Sequence, residues 1–209
     1  MAFSDLREAI SDRVGTYRTL SGGRYGQERR DRFCAGVDVL LEGQAAAKAY
    51  ERVIDPNDPG ICVLAAYGFL NALNVMHDAV ISMSNAVEGP ERDAWENVEL
   101  SKIRRARNII SGHPSYADRL SNGLQAHTAF FHLGEFTAAS FTAVIWPTVE
   151  TDISRAPELI AGAQISGRSV LVVVDVAKWR EVFFRELTPY LEGILDSLDS
   201  MESEHGELC

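Results

Sequence analysis

The stretch Lys102-Ile103-Arg104-Arg105-Ala106-Arg107-Asn108 carries four basic side chains, and His113-Pro114 follows after a short gap. Arginine presents a planar fork of N–H donors that matches a phosphate, and a neutral histidine takes a proton from a hydroxyl. An asparagine beside them orients a water, a phosphate oxygen or the imidazole. Arg107, Asn108 and His113 are therefore the candidate catalytic residues, and the chemistry that suits them is metal-independent cleavage of RNA. In that reaction the ribose 2′-hydroxyl attacks its own phosphodiester. His113 serves as base or acid, and Arg107 stabilises the charge that develops on phosphorus. Lys102, Arg104 and Arg105 are candidates for further phosphate or ligand contacts. Residues 101–119 contain five Lys or Arg against one Asp, +4 in a chain whose net charge is −10, which leaves −14 for the rest. An anion is welcome at this one stretch, while elsewhere an acidic surface repels nucleic acid. Any RNA contact is then local and salt-sensitive. The same residues also suit a plain helix end, with His113 bonding the last free carbonyls.

These side chains need a helix that stops where they meet. Residues 91–111 read as that helix: Glu91, Asp93, Glu96 and Glu99 near its start and the basic residues near its end both complement the helix dipole. Gly112 supplies a left-handed C-cap and Pro114 prevents continuation, so a reversal there returns the imidazole to the guanidinium's end of the helix. The turn Asp55-Pro56-Asn57-Asp58-Pro59-Gly60 precedes a helix over 61–87. In it Ala66, Phe69, Leu70, Leu73, Met76, Val80, Met83 and Val87 trace one apolar stripe, as a central bundle helix needs. Asp78 borders that stripe, either as a surface acid or as an acid that holds Arg104 or Arg107 in place. Further helices are predicted over 4–20, with Ser4 as N-cap and Leu6, Ile10, Val14 and Tyr17 at helical spacing, and over 27–53, where Gly36 and Gly43 weaken continuity. The glycine-rich run 21–26 follows no strand and precedes no Lys-Ser/Thr, so it reads as a flexible turn rather than a phosphate loop.

Beyond Ser121-Asn122-Gly123 the texture changes. Residues 127–146 are rich in Phe, Thr, Val and Ile around Gly134-Glu135 and read as a β-hairpin. Residues 147–167 read as an irregular connection with a short helix near 156–161, and 169–174 suit either a strand or a helix start. A final helix reaches about residue 201 through Trp179, Phe183, Leu187, Leu191, Ile194, Leu198 and Met201, with Pro189 predicted to kink it. The acidic tail 202–209 is expected to fray.

Arg107-Asn108, four residues, then His113-Pro114 resembles the Arg-x4–6-His signature of HEPN (higher eukaryotes and prokaryotes nucleotide-binding) domains, in which a polar residue commonly follows the arginine. The resemblance covers residues 61–113 well and the last helix loosely. It implies a mainly α fold, an up-and-down helical bundle to which the hairpin is an insertion. It also implies a homodimer whose paired motifs form a cleft. Many such proteins are ribonucleases of toxin–antitoxin, phage-defence or RNA-processing systems, and others are non-catalytic scaffolds that bind a protein or a nucleotide. The expected organisation is one domain: a bundle part over 1–122, the hairpin insertion over 127–146, and a C-terminal helix over 169–201 that packs back on the bundle. Expected partners are a second copy, RNA or a nucleotide, and an antitoxin-like protein.

Other constellations are weaker. His77-Asp78 resembles the metal-binding pair of HD-type phosphohydrolases, but those enzymes also need an earlier histidine, and His77 is the first in the chain. His127 and His132, five apart on a predicted strand, face opposite sides and have no third ligand at metal spacing. No cofactor and no metal are expected. Glu135 reads as a solvated hairpin residue. There is no Gly-x-Ser-x-Gly elbow, and Trp95, Trp146 and Trp179 read as core or interface anchors rather than base-stacking platforms. With 46% apolar and 24% charged residues the composition is globular. Three scattered cysteines fit a reducing cytoplasm. Cys209, as the final residue, does not meet the prenylation rule. The first residues lack an apolar signal region, and the apolar run 61–76 reads as a buried helix rather than a membrane anchor.

Overall fold

The computed structural model describes residues 3–14, 26–88, 97–111, 126–147 and 153–206. Among these the chain is mainly helical with a small antiparallel sheet. Its elements are α1 (Phe3–Asp12), α2 (Gly26–Val53), α3 (Pro59–Glu88), α4 (Val98–Ser111), β1 (Ala126–Phe131), β2 (Ser140–Pro147), α5 (Ala156–Leu159), β3 (Ala163–Ser166), β4 (Ser169–Asp175) and α6 (Val176–Gly206). Short 3-10 turns lie at Leu133–Glu135 and Ile153–Arg155. Met1–Ala45, Val75–Glu96 and Phe184–Cys209 form one compact unit, and Ala46–Asn74 with Asn97–Phe183 form another. Helices α2, α3 and α6 therefore supply residues to both.

The first unit is helical. Leu6 and Ile10 of α1 are buried, as the spacing predicts, and Phe3 stacks on Phe184 with ring centroids 4.4 Å apart. The helix begins at Phe3, so Ser4 lies inside it rather than capping it, and its hydroxyl bonds Asp5 instead. Helix α2 runs unbroken through Gly36, for which packing gives the reason. A Cβ there would lie 2.4 Å from Met83 Cγ and 3.1 Å from the Ala79 carbonyl oxygen, so only glycine lets α2 and α3 approach so closely. Helix α6 is continuous across Pro189 and extends to Gly206, past the point where fraying is predicted. Arg13 of the segment after α1 pairs with Asp199 and, at 3.4 Å, with Glu202, which ties down that last stretch.

The second unit holds the sheet. Its strands lie in the order β1-β2-β4-β3, each pair antiparallel. The predicted hairpin is present as β1 and β2, but it is half of a four-stranded sheet. Part of the stretch read as an irregular connection forms β3, the run 169–174, which suits either a strand or a helix start, lies in β4, and α6 begins at Val176 rather than at residue 169. Gly167, at φ +60°, opens the two-residue Gly167-Arg168 turn between them, as a type II′ hairpin requires. On one face Phe141, Ala143 and Ile145 of β2 lie opposite Val174, Val172 and Val170 of β4, and all six are buried. The rings of Tyr50, Phe69, Phe131, Phe136 and Phe141 form a linked cluster. The Tyr50 hydroxyl donates to the Thr137 carbonyl at 3.1 Å.

Helix α3 starts two residues before the predicted point. Asp58 Oδ1 accepts the Gly60 and Ile61 amides at 2.9 and 3.1 Å with Pro59 at the first helical position, a complete N-cap. Residues 59–87 are long and apolar enough to cross a bilayer by length and composition, where the shorter run 61–76 seemed too short for that. All eight residues of the predicted stripe are buried, which gives that apolar content a use within the protein.

Candidate functional site

Helix α4 positions the basic residues. It begins later than the charge pattern suggests: Asn97 stands outside it and caps it, Oδ1 accepting the Leu100 amide at 3.0 Å. Glu91, Asp93, Glu96 and Trp95 lie outside the described residues, as do Gly112, His113 and Pro114. Leu100, Ile103, Ala106, Ile109 and Ile110 form the buried face of α4, which packs on β1, β2 and α5.

Helical rotation then sorts the candidates. Arg104, Arg107 and Ser111, spaced by three and four, share one side of α4. Lys102 is five residues from Arg107, about 140° around the axis, and the structure separates the two. Lys102 Nζ pairs with Glu99 at 2.9 Å and lines a cavity of about 420 Å³ together with Gly162, Asp175, Lys178 and Trp179. Both acids of that cavity are engaged, Glu99 with Lys102 and Asp175 in accepting the Lys178 backbone amide at 2.9 Å. Arg105 is half-buried and lines neither this cavity nor the cleft at Arg107.

Arg107 lies in a separate, open cleft of about 400 Å³ formed with Tyr67, Gly68, Asn71 and Ser111. Its Nη2 donates to Asn71 Oδ1 at 2.9 Å and its Nη1 to Asn108 Oδ1 at 3.0 Å. Both partners are neutral amides, so the guanidinium is fixed in place without being neutralised. Arg107 Nε and Ser111 Oγ are buried without a hydrogen-bond partner among the described residues. Tyr67, 41% exposed, meets Phe131 edge to face at 5.0 Å. The sequence reading named Arg107 and Asn108 but not Tyr67, Asn71 or Ser111. The available signal was Asn71, a polar residue within the most apolar run of the chain, four residues after Tyr67 and so on the same side of α3.

Asp78 is an exposed residue of α3. The two described hydrogen bonds of Arg107 go to amides, not to a carboxylate. His77 is buried. His132 and Glu135 are exposed and lie 3.6 Å apart, a local pair in the turn after β1. Trp179 is buried while Trp146 is 48% exposed. Among the described residues no group of three or more His, Cys, Asp or Glu is placed to hold a metal ion. Burial raises the Tyr50 hydroxyl pKa. It also raises that of the Cys62 thiol, which lies near the Asp55 and Asp58 carboxylates and donates to the Asp55 carbonyl at 3.0 Å.

Compared with protein-family models, with curated proteins and with solved structures, the chain finds no significant match.

Proposed function

We propose that the cleft at Arg107 binds a phosphate of RNA and that the protein is a HEPN-like, metal-independent endoribonuclease of a toxin or defence type, acting in the cytoplasm as a homodimer. The observation that carries this reading is the state of Arg107: a guanidinium at an open cleft, held by two amides and facing no carboxylate partner among the described residues. A cation prepared in this way keeps its charge for an incoming anion.

In the proposed reaction Arg107 bonds the non-bridging phosphate oxygens and offsets the charge that grows on them as the 2′-oxygen attacks. His113 takes the 2′-hydroxyl proton. The bond from phosphorus to the 5′-oxygen breaks, and that oxygen leaves with a proton. The products are a 2′,3′-cyclic phosphate and a 5′-hydroxyl. Asn108, bonded to Arg107, keeps the guanidinium fork aimed. The test is cleavage, in a chelator, of an RNA oligonucleotide beside the same oligonucleotide with every 2′-hydroxyl methylated. The reading predicts a cyclic-phosphate product from the first and none from the second; equal cleavage of both overturns it.

The alternative is a HEPN-like scaffold without catalysis that binds a protein partner or a nucleotide through the same cleft. The net charge of −10 favours it, since most of such a surface repels a polyanion. Binding of a nucleotide at Arg107 without any RNA cleavage is its signature.

A further inference from the structure

Arg107 accounts for only part of its cleft. The rest is Ser111 of α4 and the Tyr67-Gly68-Asn71 side of α3; Tyr67 and Gly68 have properties that a phosphate does not use, and Asn71 has donors to spare. Tyr67 offers a ring that is 41% exposed and is braced by Phe131. Gly68 leaves open space: a Cβ built there meets nothing within 4 Å. Asn71 has a fixed polarity. A guanidinium only donates, so the Asn71 atom 2.9 Å from Arg107 Nη2 is the carbonyl oxygen. The amide nitrogen of Asn71, with its two donors, is then left for a ligand on an exposed part of the helix. An aromatic ring, a gap beside it and a fixed pair of donors, all next to a cation, match a single unstacked nucleobase attached to a phosphate. The volume of about 400 Å³ lies within the range of small-ligand sites.

We propose that Tyr67, Gly68 and Asn71 form a nucleobase subsite beside the Arg107 phosphate clamp, one that selects bases with a carbonyl at the 4- or 6-position. The base lies over Gly68 and stacks on Tyr67, and its carbonyl accepts from Asn71 Nδ2. Uracil and guanine present that acceptor, whereas cytosine and adenine present an amino group there, donor against donor. The subsite rests on the reading of Arg107 as a phosphate anchor, and it requires no catalysis.

The experiment is calorimetric titration of the full chain with UMP, GMP, CMP, AMP and ribose 5-phosphate. Wild type is compared with Tyr67→Ala, Gly68→Leu, Asn71→Ala and Arg107→Ala, the fold of each checked by its thermal melt. UMP and GMP are expected to bind wild type roughly tenfold or more tightly than ribose 5-phosphate, the scale of one base stacked on an aromatic ring. Tyr67→Ala should bring both to the ribose 5-phosphate level. Gly68→Leu, which fills the gap at an exposed helical position and so should keep the fold, should exclude both. Asn71→Ala should erase the preference over CMP and AMP. Nucleotides binding no better than ribose 5-phosphate, or a Tyr67→Ala variant that binds them unchanged, would overturn the subsite while leaving the phosphate clamp intact. Loss of ribose 5-phosphate binding in Arg107→Ala supports the clamp on which the subsite rests. Tight UMP or GMP binding by a protein that cleaves no RNA supports the subsite and removes only the nuclease. Absence of any binding to the wild type overturns both subsite and clamp.

Discussion

Replacing Asn71 by aspartate keeps an oxygen where Arg107 Nη2 now finds one, 2.9 Å away, and adds one negative charge. The effects on fold and on function should then have opposite signs. For the fold, a neutral acceptor becomes a charged one at an exposed position, worth about 0–1 kcal/mol of added stability. For the ligand, an anion bonded to the remaining Nη hydrogens of Arg107 lies roughly 5 Å from the new carboxylate, since the two acceptors share one guanidinium. Coulomb repulsion at that distance is about 1 kcal/mol with the dielectric constant of water and about 3 kcal/mol at an effective value near 20. Binding of ribose 5-phosphate should therefore weaken by about 5- to 150-fold, with an unchanged or raised melting temperature. Asn71→Ala, which removes the anchor without adding charge, should weaken it far less. The assay is calorimetric titration beside a thermal melt. An Asn71→Asp protein that binds ribose 5-phosphate like wild type would mean that the anion does not use Arg107. One that loses stability and binding together would mean that the hydrogen bond is not the anchor described.

Further predictions concern the frame around the site. Gly162, at φ +72°, would place a Cβ 2.3 Å from the Val173 carbonyl oxygen, so Gly162→Ala should destabilise by about 2–5 kcal/mol in chemical denaturation, from backbone strain plus overpacking; a loss under 1 kcal/mol refutes the close approach. Gly68→Ala meets nothing and should stabilise by about 0.5–1 kcal/mol through helix propensity, read as a melting temperature raised by a few degrees. The raised pKa values of Tyr50 and Cys62 mean that the fold favours their neutral forms. That stability is complete below their ordinary values, about 9 to 10, and is lost as pH rises beyond them. Tyr50→Phe should flatten the alkaline fall in stability while costing about 1 kcal/mol at neutral pH, because the Thr137 carbonyl loses a donor; pH melts of equal slope contradict this. In the native protein a thiol reagent should label the half-buried Cys34 well before Cys62, which is 1% exposed and whose thiol is held neutral; mass spectrometry of the labelled peptides decides it.

Sequence periodicity was most informative where one face of a long helix is buried, and all eight stripe residues of α3 are in the core. It was silent at 169–174, where every residue after Ser169 is apolar and neither a period of two nor one of 3.6 stands out. The Gly167-Arg168 turn was the better signal, since a two-residue loop opening with glycine calls for a strand on each side. Gly36 looked like a weak point because propensity counts only its missing side chain, whereas in the fold that absence is what lets α3 approach. The start of α4 was misplaced because acidic residues suit a first helical turn wherever they fall. Asn97, which bonds the Leu100 amide, marks the actual boundary. At the candidate site, the charge excess of residues 101–119 pointed to α4 but merged two of its sides, since a count of charges ignores rotation about the axis. Only the fold separates Lys102, paired with Glu99, from Arg107. Asn71, 36 residues from Arg107 in the chain, could not be linked to it by any local pattern.

The most direct test of the central claim is cleavage of a panel of RNAs by the full chain in a chelator, beside Arg107→Ala and His113→Ala, each shown to melt like wild type. The account predicts that wild type cleaves, leaving 2′,3′-cyclic phosphate ends, and that both substitutions abolish the reaction. Cleavage that survives loss of Arg107, or a folded wild-type protein that leaves every RNA intact, would contradict it.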